Sequence, residues 1–358
     1  MMLLVSLSIS LSGAGWNFLG SSGRESRLPA GNAITDGKAL LRYALPIDNE
    51  PVRELQKSLE DISNQLRANR RWSAISGDIS KASLILSDRA KLLESVPDDR
   101  KPEAENAIAN IEAGIGQLRT ALEAQDKNLI SEERSKTLNF VSKLEELMVQ
   151  GFPFEVPSEY SNLPQLKGRA TVEMTTNKGS LTIVVDGYSA PVTAGNFVDL
   201  VQRGFYNGMP FIRAEESYVL QTGDPPGQEQ GFIDPATGKY RAIPLEILVR
   251  GDNAPIYGIT LEDAGRYRDQ PVLPFSAYGA VAMARPESDP NGASSQFFFF
   301  LFEPELTPAG LNLLDGRYTI FGFVTEGKDV LEKLKQGDTI ESAKVIQGTE
   351  NLVEPSVA

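Results

Sequence analysis

The sequence predicts a two-domain α+β protein: an N-terminal antiparallel four-helix bundle, then a closed antiparallel β-barrel capped by two helices. Three observations predict it. Between about Asn49 and Gln150 apolar residues recur at three- and four-residue spacing with few breakers, as amphipathic helices require. From Gly151 to Gly168 three prolines interrupt that period. Beyond about Ala170 the period shortens toward two, with β-branched runs separated by glycine turns. A chain of 358 residues fits two domains and can bury a sizeable core without staples.

The helical half carries four apolar stripes. Val52, Leu55, Leu59, Ile62 and Leu66 form the first, and Ile75, Ile79, Ala82, Leu86 and Leu93 the second. Ala104, Ile108, Ile111, Ile115, Leu118 and Leu122 form the third, opened by Pro102; Thr137, Val141, Leu144 and Met148 form the fourth. Each stripe is one-sided with charge opposite, so each helix must bury its face against another, and short connections make antiparallel neighbours. Nothing in these helices converges on chemistry, which leaves a scaffold or a docking surface. In the linker, Phe152, Phe154, Val156 and Tyr160 are suited to packing on a surface.

In the second half, Ala170–Met174 and Ser180–Val185 read as strands joined by a turn at Asn177-Lys178-Gly179. Thr193 is expected to cap a helix that buries Phe197, Leu200 and Val201 and ends near Gly204. A second helix is expected around Lys328–Lys335. Many short strands with two helices argue for a closed barrel capped at its ends. The stretch from Asp224 to Ala277, rich in Pro and Gly, reads as surface loop of the kind that carries partner specificity. The expected organisation is a signal-like or anchor segment over 1–33, a bundle over 34–150, a linker over 151–167, the barrel over 168–350 and a tail over 351–358.

Composition excludes much chemistry. The chain has no cysteine and no histidine, so thiol nucleophiles, disulfides, a catalytic triad and a typical zinc site are out. No metal or cofactor is expected. Acidic residues outnumber basic ones 48 to 35, giving a net charge of -13, so nucleic acid is not expected as a partner. Met2–Trp16 is apolar and uncharged, too short to span a membrane with certainty, and reads as an export signal cleaved near Gly31-Asn32-Ala33 or as an anchor. Membrane association is expected at most through this segment.

Four runs occur in order: Gly204-Phe-Tyr-Asn-Gly-Met-Pro-Phe-Ile-Arg213, Gln221-Thr-Gly-Asp224, Ser295-Gln-Phe-Phe298 and Leu314-Asp-Gly-Arg-Tyr318-Thr-Ile-Phe-Gly322. Together they resemble the signature of the cyclophilin-type peptidyl-prolyl isomerases, over about Ala170–Gly348. That resemblance implies an eight-stranded barrel and prolyl isomerase activity. It implies that Arg213 donates to the prolyl nitrogen and that Gln221 hydrogen-bonds the substrate backbone. Phe298, Val219 and Leu314 would line the proline slot, Tyr218 and Leu313 its edge, and Gln296 and Ala284 the peptide groove, with Tyr318 as a further substrate contact. The segment Ala39–Asp48, the linker and Ala190–Val201 narrow the resemblance to the thylakoid-lumen cyclophilins of plants and cyanobacteria. Those proteins carry a helical domain similar to extrinsic photosystem subunits. The resemblance implies export to the lumen or periplasm, and proline-containing loops of client proteins, photosystem II subunits among them, as partners.

The departures bear on activity. Tyr318 stands where many members carry histidine, Leu313 replaces a tryptophan and counts against cyclosporin binding, and Val219 replaces methionine. Glu215 and Glu216 follow Arg213 closely enough for an ion pair to divert its guanidinium. Three readings stand: an exported isomerase assisting membrane-protein assembly, a proline-peptide binding scaffold with weak or no catalysis, or a purely structural extrinsic subunit. The bundle or linker is also expected to pack near the groove.

Overall fold

The structure, a computed structural model, describes residues 34–68, 71–228, 230–235, 237–302 and 312–355. The expected signal or anchor over 1–33, with its cleavage site, lies outside the described residues. The helical half contains α1 (Gly37–Ala44), α2 (Glu50–Arg67), α3 (Trp72–Leu86), α4 (Arg89–Leu93), α5 (Lys101–Glu123) and α6 (Lys127–Leu147). Asn49 caps α2 by accepting from the Val52 amide, and Asp126 caps α6 from the amides of Asn128 and Leu129.

The predicted stripes face one core. Val52, Leu55, Leu59, Ile62, Ile75, Ile79, Ala82, Ile108, Ile111, Leu118, Val141 and Leu144 are buried together. The second stripe is broken where Asp88 caps α4, so Leu93 sits on a separate short helix. Helix α2 lies against α3 and α6, and α5 lies against the same two. Gly114 of α5 is required by close approach, since a Cβ there would run into Thr137 of α6.

The other half is built on an eight-stranded antiparallel sheet. In chain order the strands of this half are β1 (Gln165–Leu166), β2 (Arg169–Thr176), β3 (Gly179–Asp186), β4 (Arg213–Glu215), β5 (Val219–Thr222), β6 (Ile233–Asp234), β7 (Lys239–Tyr240), β8 (Glu246–Ile247), β9 (Ile256–Tyr257), β10 (Ala280–Met283), β11 (Phe297–Phe300), β12 (Ile320–Glu326), β13 (Ile340–Gln347) and β14 (Leu352–Val353). The large sheet runs β13-β2-β3-β12-β10-β11-β5-β4. It curls, but the expected closure is not made by its edge strands, since β13 and β4 are not paired. Irregular backbone spans the gap instead. Gly208 N–H donates to Ile340 O at 2.7 Å and Phe211 N–H to Asp338 O at 2.8 Å.

Three element ends differ from expectation. Gln165–Leu166, placed in the linker, pairs with Leu352–Val353, placed in the tail, so both belong to the sheet domain. Helix α7 (Pro191–Gln202) starts two residues before Thr193, after Ala190, whose side chain caps nothing. The capping acceptor comes from β8: the buried Glu246 carboxylate receives the amides of Val192 at 3.2 Å and Thr193 at 3.0 Å. The last helix, α8, covers only Lys328–Leu331.

Alternation along β11 divides its four phenylalanines. Phe297 and Phe299 enter the interior with Phe197, Phe211, Leu220 and Phe321. Phe298 and Phe300 face outward, yet are only 6% and 2% exposed. Phe275 and Tyr318 pack on them, and Leu40, Leu41 and Ala44 of α1 join the same second core with Ile320 and Phe323. The helix therefore packs on the sheet rather than on the helical core. Arg169 secures it by donating to Leu41 O, while pairing with Asp186 at 2.7 Å and Glu146 of α6 at 3.6 Å.

The linker does pack on a surface. Phe152 stacks on Tyr188 with centroids 6.2 Å apart, and Tyr160 meets Tyr257 at 5.1 Å. The N-terminal element behind the slot is α1.

Candidate active site

The hairpin of β4 and β5 creates the site. Its turn is tight, with Ser217 at a φ of 57°, a left-handed conformation uncommon for a side chain. Its register sets Arg213 opposite Gln221, and pairing with β11 sets Gln221 opposite Phe298. Ala282 of β10 completes the row. Cross-strand partners share a face, so Arg213, Gln221, Phe298 and Ala282 form one line across the outside of the sheet. The neighbouring row is Glu215, Val219, Phe300 and Ala280.

Because residues two apart on a strand share a face, Glu215 necessarily stands beside Arg213. The two are paired: Glu215 Oε1 accepts from Arg213 Nε and lies 2.6 Å from Nη2. Both side chains are 49% exposed, so water competes for the pair. Of the two glutamates, the structure places Glu215 on the guanidinium.

Gln221 donates from Nε2 to Gln296 Oε1 at 2.8 Å, and Gln296 donates onward to Asp224 Oδ1 and Gln230 O, each at 2.9 Å. This chain anchors the Gln221 side-chain amide nitrogen on Gln296. Ala284 N–H donates to Gln296 O at 2.9 Å, holding the groove wall to the same segment.

The apolar slot is built around Phe298. Tyr318 meets it edge-on, with centroids 5.5 Å apart at 90°. Val219 is 4% exposed in the same core, and Leu314 packs against it from the side. Arg285 lies over the Tyr318 ring at 5.3 Å and donates to Arg317 O at 2.9 Å, which steadies that tyrosine. Tyr218 is 37% exposed beside Phe300, and Leu313 is 90% exposed. All the expected residues except Leu313 thus gather in contiguous rows or in the packing around Phe298.

Sequence reasoning missed two contributors. Phe275 is buried against both Phe298 and Phe300, and Asp315 accepts the amides of Phe275 at 2.8 Å and Asn312 at 2.9 Å. Burial lifts the Asp315 carboxyl to about 6, against the opposing pull of those two amides and Arg250. The excursion that supplies Phe275 is not merely surface loop. It holds β6 to β9 and a small core of Leu245, Ile247, Val249 and Leu261. Isolated apolar residues between Gly and Pro carry no periodic signal, which is why Phe275 was illegible. Among the described residues there is no cluster of ligating side chains suited to a metal, and no helix long and apolar enough to cross a membrane.

Both halves of the chain resemble known proteins. Residues 171–351 match the family described as cyclophilin type peptidyl-prolyl cis-trans isomerase/CLD. Residues 36–149 match the family described as peptidyl-prolyl cis-trans isomerase CYP38-like, PsbQ-like domain. The chain is 59% identical over 354 residues to a candidate thylakoid lumen peptidyl-prolyl cis-trans isomerase of Synechocystis sp., covering 98% of this chain and 93% of that protein. It is 46% identical over 342 residues to the chloroplastic peptidyl-prolyl cis-trans isomerase CYP38 of Arabidopsis thaliana, covering 92% and 78%. Peptidyl-prolyl cis-trans isomerase-like 1 of Homo sapiens is 31% identical over 182 residues, covering 49% of this chain and 89% of its own. With its outer-face row and its matches over both halves, the chain belongs to the cyclophilin-type peptidyl-prolyl cis-trans isomerase family, in the subgroup that carries a CYP38-like helical domain.

Proposed function

We propose that this protein isomerises prolyl bonds in proline-containing loops of membrane-protein clients, photosystem II subunits among them, in the thylakoid lumen. The row Arg213–Gln221–Phe298 carries the reading. Peptide-bond rotation is opposed by amide resonance worth about 18–20 kcal/mol, and prolyl bonds turn over in tens to hundreds of seconds unaided. Lowering that barrier needs no nucleophile and no proton shuttle, which suits a chain without histidine or cysteine.

The Phe298 slot holds the proline ring while the rest of the bond swings. Gln221 accepts or donates to the peptide backbone beside it. Arg213 then aims N–H groups at the prolyl nitrogen as it loses conjugation and gains a lone pair, an interaction stronger in the transition state than in the ground state. A planar, permanently charged fork fits that task. Tyr218 and Leu313 offer apolar contact at the rim, and Gln296 and Ala284 border the peptide path. The lumenal name of the Synechocystis relative and the apolar run Met2–Trp16 support export to the lumen. The cyclic packing of α2, α3, α5 and α6 supports an antiparallel four-helix bundle, which we assign to client docking.

A second reading rests on one observation. The guanidinium of Arg213 already has a carboxylate, Glu215, so substrate must compete for it, and a binding scaffold with slow turnover follows. The test is cis–trans exchange of a proline-containing tetrapeptide with the full chain, wild type beside Arg213→Ala. Acceleration that disappears in the variant, with peptide still bound, establishes the isomerase. Equal acceleration in both removes Arg213 from catalysis, and no acceleration by either, with peptide still bound, leaves the scaffold.

A further inference from the structure

Phe298 is the ring against which a proline would rest, and the orientation of a lone aromatic side chain is set by what stands behind it. Here the outer face of β10 carries Ala280 and Ala282, opposite Phe300 and Phe298. Two alanines leave an aromatic-sized gap in an otherwise large-residue surface. The ring of Phe275, 1% exposed, fills it. It lies parallel to Phe298, interplanar angle 1° with centroids 6.0 Å apart, and meets Phe300 at 70° and 5.1 Å. With Tyr318 edge-on at 5.5 Å, Phe298 is held between two aromatic neighbours that come from different segments.

One carboxylate joins those segments. Asp315 takes the Phe275 amide on Oδ1 at 2.8 Å and the Asn312 amide on Oδ2 at 2.9 Å. Asn312 in turn accepts the Leu314 amide at 2.9 Å. The wedge behind the slot and the loop forming its wall are therefore one hydrogen-bonded unit. Ser276, next to the wedge, donates to Ile34 O at 2.6 Å, which fixes the other side of the segment.

We propose that Phe275, seated by Asp315, is a positioning residue that sets the Phe298 ring for the prolyl substrate. This rests on the slot reading above and deepens it. Phe275 touches no substrate; it acts through Phe298. Its loss would let the Phe298 ring turn into the vacated space and present a less complementary floor. Substrate affinity would fall while the Arg213 step, on the far side of Gln221, is spared.

The experiment measures two quantities by NMR on the full chain with a proline-containing tetrapeptide: the dissociation constant, and the exchange rate of the bound peptide. Phe275→Leu is expected to weaken binding about tenfold and to leave bound exchange within about twofold. Phe211→Leu serves as the control, since Phe211 is equally buried but lies in the interior core. It is expected to lower stability and leave binding within about twofold. Phe298→Ala tests the slot itself and should abolish binding.

If Phe275→Leu binds like wild type while Phe298→Ala does not bind, Phe275 has no positioning role and the slot stands. If Phe275→Leu and Phe211→Leu weaken binding equally, the effect is general loosening and the proposal is overturned. If Phe298→Ala still binds, the slot reading falls and takes this inference with it. Should Phe275→Leu fail to fold, Asp315→Asn, which places an amide against the Asn312 N–H, is read by the same criteria.

Discussion

Arg213 is held by geometry in competition between two partners. Its strand puts Glu215 on the same face two residues away, and the same face carries the peptide groove. An exposed pair of this kind is worth about 0–1 kcal/mol, so substrate can displace the glutamate at modest cost. Glu215→Gln keeps the shape and removes the charge. It is expected to raise kcat/KM by up to about fivefold, because about 1 kcal/mol of competing interaction is withdrawn. Isomerase kinetics at low salt check this, and the gain should shrink at high salt as screening weakens the wild-type pair. A variant no faster than wild type would show that Glu215 does not hold the guanidinium back.

At the scale of elements, α1 matters more than its eight residues suggest. It covers the outer face of β12, where a Cβ at Gly37 would come within 2.8 Å of Phe323 Cβ. Arg169 fastens its carbonyl end to the sheet and reaches Glu146 of α6, so one guanidinium ties three elements together. Asp186 is fully buried, and without Arg169 it keeps only the Ser189 hydroxyl, at 2.6 Å. Arg169→Ala therefore strands a buried carboxylate and is expected to cost about 3–5 kcal/mol in chemical unfolding. Hydrogen exchange should rise in residues 37–44 before it rises in the strands. Protection of α1 equal to wild type would mean that apolar packing alone seats it.

For the whole molecule, three buried carboxyl groups set an unusual pH response. Burial lifts Glu145 and Glu246 to about 7 and Asp315 to about 6. Arg53, 3.0 Å away, opposes the first, and the α7 amides oppose the second. In the unfolded chain these groups ionise near pH 4, so between about 4 and 7 the native state holds more protons. Their contribution to stability is complete below about pH 4 and is lost as pH rises through 6 to 7. Acidification from about pH 8 to 5.5 is therefore expected to raise the denaturant midpoint, opposite to the trend of ordinary salt-bridged carboxylates. Glu246→Gln should flatten the slope between pH 6 and 8, and a slope unchanged by it would show that Glu246 does not titrate in that range.

What the sequence determined by itself was whatever depends on local spacing. The apolar stripes named the faces of α2, α3, α5 and α6, because helix period and burial are coupled within one segment. Seven residues separate Arg213 from Gln221, and one tight hairpin is enough to bring them opposite each other. The nearness of Glu215 followed from strand alternation. Tertiary structure alone decided what bridges the open sheet's edges, what caps α7 and what lies behind Phe298. Glu246 reaches the α7 amides across more than fifty residues of chain, Phe275 meets Asp315 across forty, and Arg169 meets Leu41 across more than a hundred. Such contacts are chosen by the shape of a gap and the burial of a charge, and neither exists until the chain has folded around it.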